Sequence, residues 1–107
     1  MKASIAQGLK NLPGPQGEGF FKLMAGGSMS VEVYAPQGQD LQQPHSQDEL
    51  YFIHSGCGQL IIGDQLFDCA AGDAFHVAAG VSHRFIDFSD DFVTWVVFYG
   101  EHHPASQ

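Results

Sequence analysis

Gln43, His45, Glu49 and His83 are the residues whose types could hold a metal ion. Two imidazoles, a carboxylate and an amide oxygen make a mixed nitrogen and oxygen donor set, suited to Mn, Fe, Co, Ni or Zn. Two His and one carboxylate on one side of an ion would leave positions open for water, dioxygen or a bidentate substrate. Gln43 is a neutral, weaker donor, so three roles stay open for it: it remains bound, it leaves when substrate arrives, or it never coordinates. The first three residues fall in the run QQPHSQDELYFIHSG and His83 in the later run GDAFHVAAGVSHRFID. A lone His on a strand is commonly a hydrogen-bonded core or surface residue, so the chemistry depends on a fold that brings the two runs together.

The elements that could do so are short. From Phe20 onward, runs of β-branched and aromatic residues (FFKLM, SMSVEVYA, ELYFIHS, GQLIIG, QLFDC, DAFHVA, HRFIDF, FVTWVVFYG) are separated by Gly, Pro, Asp or Ser, which is the pattern of many short strands. No window carries a helical period over ten or more residues. The expectation is an all-β domain over 20–107 with a short polar C-terminal tail. Residues 1–19, interrupted by NLPGPQGEG, form an N-terminal arm with at most a turn of helix near Ile5 to Lys10. Gly63 and Asp64 suit a two-residue hairpin turn and Ala71-Gly72-Asp73 a second reversal, so the middle of the chain reads as an antiparallel meander. Such strands can close into a barrel or jelly roll with an interior cavity. Side chains alternate along a strand. Glu49, Tyr51 and Ile53 therefore share one face, opposite Leu50, Phe52 and His54, and His83 shares its face with Phe85 and Asp87.

Composition narrows the function classes. A chain of 107 residues with 44% hydrophobic residues can bury one core. Twelve acidic against four basic residues give a formal charge of -8, which repels phosphate backbones and anionic headgroups, so nucleic acid and membranes are not expected partners. No apolar stretch approaches the roughly 20 residues of a membrane span, and the start lacks the apolar core of a secretory signal, so the expected location is cytoplasmic. Cys57 and Cys69 are too few for a disulfide scaffold and twelve positions apart, which is not a zinc spacing. They read as reduced thiols.

The motifs resemble those of the cupin superfamily, and of its small single-domain, conserved-barrel members in particular. In G-x5-H-x-H-x3,4-E-x6-G, His45 takes the second His, three residues precede Glu49, and six more precede Gly56. In G-x5-P-x-G-x2-H-x3-N, Gly72, Gly80 and His83 match, with Ala78 in the Pro position and Asp87 in the Asn position. Gln43 replaces the first His, as in the Q-x-H pair of sugar-isomerase cupins, and Gly38 departs from the usual spacing of the leading Gly. The resemblance covers about residues 29 to 100. It implies a double-stranded β-helix, or jelly roll, with one divalent metal ion in the barrel and a homodimer as the assembly.

Tyr51, Phe75, Phe85, Trp95 and Phe98 are the candidates for contact with a small-molecule ligand, although aromatic residues at strand spacing also build cores. His76 has no fixed phase, Asp87 could orient His83, and His102 and His103 lie in the polar tail. The function expected is that of a metal-dependent enzyme acting on a small polar or anionic molecule, as a dioxygenase, isomerase or lyase. The alternative is a non-catalytic binding or sensor module, favoured by the lack of an evident general base.

Overall fold

The computed structural model describes residues 1–40 and 42–103; the end of the polar tail lies outside the described residues. A short helix, α1 (Ile5–Leu9), precedes eight strands: β1 (Phe20–Gly26), β2 (Met29–Tyr34), β3 (Asp48–Ser55), β4 (Cys57–Ile62), β5 (Gln65–Ala70), β6 (Ala74–Val77), β7 (His83–Ile86) and β8 (Val93–Tyr99). Each strand overlaps one of the eight apolar runs read from the sequence, several extending it by one or two residues. The strands form a five-stranded sheet in the order β1-β2-β8-β3-β6 and a three-stranded sheet in the order β5-β4-β7. All pairings are antiparallel. The two inner faces make the core of a jelly roll.

The core is built from alternation. Tyr51 and Ile53 on β3, Leu60 on β4, Phe85 on β7, and Val96 and Phe98 on β8 are buried together. Leu50, Phe52 and His54 take the other face of β3, with Phe52 and His54 exposed. A second apolar cluster lies on the outer face of the larger sheet, where Ile5 of α1 packs with Val33, Ala35 and Val93. The N-terminal arm is thus docked on its own chain. Ser4 caps α1, its Oγ accepting the Gln7 N–H at 3.2 Å.

The meander expected for the middle of the chain is found only between β4 and β5, where Gly63 (φ 60°) and Asp64 form the two-residue turn joining paired Ile62 and Gln65. Elsewhere the chain crosses between sheets: β3 and β6 belong to the larger sheet, β4, β5 and β7 to the smaller. Gly56 explains the first crossing. At φ 79° it sits where a Cβ would lie 2.7 Å from Phe92 Cα and 2.6 Å from Ser89 Oγ, so only glycine lets the chain turn out of β3 there.

Candidate metal centre

Glu49, the second residue of β3, and His83, the first of β7, point into the core from different sheets and are 1% and 5% exposed. His45 comes from the loop before β3. One donor atom from each of His45, Glu49 and His83 lies within 4.8 Å of the others. Three of their polar atoms are buried without a hydrogen-bond partner: His45 Nε2, Glu49 Oε2 and His83 Nε2. His83 Nε2 is 2.9 Å from Glu49 Oε1, a close contact that is not aligned as a hydrogen bond. Its Nδ1 donates to the Val81 carbonyl at 3.0 Å. That bond fixes the tautomer and leaves the Nε2 lone pair facing Glu49, as a metal-ligating His requires. Buried polar atoms are normally satisfied. Three orphaned donors converging on one point fit a cation, so these residues could hold a divalent ion.

The electrostatics agree with this geometry. Burial pushes His45 below the ordinary imidazole value, against the pull of the Glu49 carboxylate. Burial works the same way on His83, but Glu49, the Val81 carbonyl and Asp40 outweigh it and hold that imidazole above its ordinary value. Tyr51 OH donates to Gln42 Oε1 at 3.1 Å; burial first, then the Glu49 charge, pushes its phenol well up and keeps it neutral.

A cavity of about 440 Å³ opens from this cluster. His45, Gln43 and Phe98 line it, and Phe98 packs its ring 4.6 Å from that of His45. Gln43 is exposed at the cavity wall, and nothing in its surroundings selects among its three possible roles. Tyr51 lies beside the cluster, its ring 5.9 Å from that of His83. The other aromatic candidates are not brought to the cavity. Phe85 is buried beneath Tyr51 at 4.9 Å between ring centres, and Phe75 packs on Phe67. Trp95 faces away, in the outer cluster with Val33 and Ile5, because its neighbours Thr94 and Val96 take the inner face of β8. Asp87 does not orient His83: it is exposed at φ 50°, after β7 has ended, and the Val81 carbonyl takes that role. His76 is exposed, its Nε2 3.4 Å from Asp48 Oδ2.

Glu32, Asp40 and Gln47 were not singled out in the sequence, and His102 was read only as part of the polar tail. Glu32 alternates with Val31 and Val33 on β2 and lines the cavity. Its carboxyl is raised by burial, with Lys22 opposing and Glu49 adding to the rise. Asp40, 4% exposed, accepts from Tyr34 OH at 2.6 Å, the Gln42 N–H at 3.0 Å, Gln42 Nε2 at 3.1 Å and the Phe85 N–H at 2.9 Å. It pins the loop before the ligands to both sheets. His102 also lines the cavity, its Nδ1 hydrogen-bonded to Ser46 Oγ at 2.7 Å. Gln47 helps bring that segment there by donating to the carbonyls of Ser28 and Gly100.

Fold and site together define a cupin. The cupin domain family model matches residues 30–99, and the chain belongs to that family. It is 41% identical over 73 residues, 66% of this chain and 70% of the other, to an uncharacterized protein of Streptomyces coelicolor. Among solved structures it resembles KdgF from Halomonas sp. at 12% identity and TM-score 0.65, covering 74% of each chain. It also resembles a cupin 2 conserved barrel domain protein from Salinispora arenicola at 19% identity and TM-score 0.63, covering 76% of this chain and 74% of that one. At these identities the structures speak for the fold alone.

Proposed function

We propose that this chain is a divalent-metal-dependent enzyme, an isomerase or lyase, acting on a small oxygen-bearing molecule in the 440 Å³ cavity. His45, Glu49 and His83 would hold the ion, with Gln43 the candidate fourth ligand on the exposed side. The observation that carries the reading is the set of three buried, unpartnered donor atoms. When bound, the ion supplies a Lewis acid that polarises a substrate oxygen.

The chain's own residues would do the rest. Glu32 is a carboxyl on the cavity wall, its pKa raised by burial, placed where it could take up and return a proton. This supports proton transfer over dioxygen chemistry, with Glu32 as the candidate general base that the sequence did not reveal. Phe98 fixes the His45 ring, Asp40 holds the loop that presents it, and Tyr51 stays a neutral donor. For assembly we propose a homodimer, supported by the exposure of Phe52, Leu66 and Phe67.

Elemental mass spectrometry on untagged protein purified without added metal tests the site. Near-stoichiometric metal, lost in both His45→Ala and His83→Ala and kept in His102→Ala, is expected. A wild type that carries none and takes up none on reconstitution would overturn the reading.

A further inference from the structure

A second cavity of about 740 Å³ lies beside the first, under the N-terminal arm. The two share Phe20, Tyr34 and Gln42 as wall residues. Two of these are held in place: Tyr34 donates to Asp40, and Gln42 is tied both to Asp40 and to Tyr51. Phe20 is 50% exposed, and its ring has no polar atom with which to make such a bond. It is the half-exposed member of the shared wall.

The lining of the second cavity differs from that of the first. Leu9, Leu12 and Pro13 of the arm face Ala35 and Pro36 of the loop after β2. Among the described residues neither cavity is lined by Lys or Arg, so no cation among them would hold an anionic group away from the metal centre. The lining also carries neutral amides, Gln16, Gln37, Gln39 and Gln42, and its one carboxylate among the described residues, Glu18, is engaged by the arm itself, its Oε2 accepting the Gln16 N–H at 3.2 Å. Volume, shared wall and lining suit an uncharged, mainly apolar group.

We infer that the site takes an elongated molecule: an oxygen-bearing head at the metal centre and an uncharged tail of several carbons that passes Phe20 into the cavity beneath the arm. The head end rests on the function proposed above; the tail cavity stands on its own lining. Each methylene of the tail that leaves water should raise affinity about fourfold.

The test uses two series of straight-chain probes from two to eight carbons, measured by calorimetry. Hydroxamic acids, which chelate through an oxygen pair, are titrated into zinc-reconstituted protein, and the corresponding primary amides into metal-free protein. Both series should tighten with chain length by about fourfold per carbon over several carbons, and the slope should vanish in Leu9→Asp. Leu9 is partly exposed, so that variant should fold, and Leu12→Asp provides a second check at another wall residue. Hydroxamates that bind with no dependence on chain length would overturn the tail cavity while leaving the metal reading standing. Failure of every hydroxamate to bind would sink the metal reading; the amide series then decides the cavity alone, a slope abolished by Leu9→Asp sustaining it and a flat series refuting it.

Discussion

Replacing Gly8 with Ala should destabilise the protein, although the same change inside an exposed helix would stabilise it. In a helix interior Ala is favoured over Gly by about 1 kcal/mol. Here α1 lies against the outer face of the larger sheet, and a Cβ on Gly8 would overlap Val33 Cγ1 and sit 3.0 Å from Val33 Cβ. Val33 is fully buried and, being β-branched on a strand, has little rotamer freedom with which to yield. Overpacking of this kind costs about 1–3 kcal/mol. An overlap with a fully buried, stiff side chain belongs in the upper part of that range, about 2–3 kcal/mol, so against the propensity gain the net loss should be about 1–2 kcal/mol, or about 4–16 °C in Tm for a domain of this size. Thermal melts followed by circular dichroism, with urea titrations as a second measure, would read it. A Tm equal to or above that of the wild type would refute the close packing of α1 on Val33, and with it the arm as a firm wall for the second cavity.

Three further outcomes follow from the site. Asp40→Ala should cost about 3 kcal/mol or more, because it leaves the Tyr34 hydroxyl and the Phe85 amide without their acceptor; a urea midpoint close to wild type would count against the pin. Glu32 has a folded pKa above its ordinary value of 4.5, so its ionisation opposes folding as pH rises through that window. Glu32→Gln should therefore be more stable than wild type at pH 7 to 8 and lose that advantage below about pH 4, and parallel stability curves across this range would contradict it. Metal retention should fall as pH drops through about 6, because protons compete for His45 and His83, with His83, raised by Glu49, the first to compete; retention unchanged at about pH 4 by equilibrium dialysis would rule out a two-His site.

The strands were legible because each pairs a short apolar run with a turn residue, and β3 revealed its inward face through the alternation Glu49, Tyr51, Ile53. The strand β8 did not. VTWVVFY is apolar at almost every position since both of its faces are covered, one by the core and one by α1, so nothing in it tells that Trp95 points outward while Phe98 points in. Glu32 and Asp40 look like ordinary solvated acids in the sequence. What marks them is the company they keep: a cavity wall closed by β8 for Glu32, and donors from as far away as Phe85 for Asp40. His102 reads as tail and becomes part of the site only because Ser46 and Gln47 draw the end of the chain back.

The Asp40 carboxylate also bears on the order in which the molecule is made. Its four donors come from β2, from its own loop and from β7, so the loop preceding His45 has no fixed position until the last third of the chain has paired with the middle. His45 and Glu49 precede His83 and Phe85 by more than thirty residues in the chain, so a nascent chain holds the first pair before the second exists. Contacts so distant in sequence form late. The cluster that could hold an ion is therefore complete only once β7 has joined β4, and a chain stalled before that pairing would have no finished site.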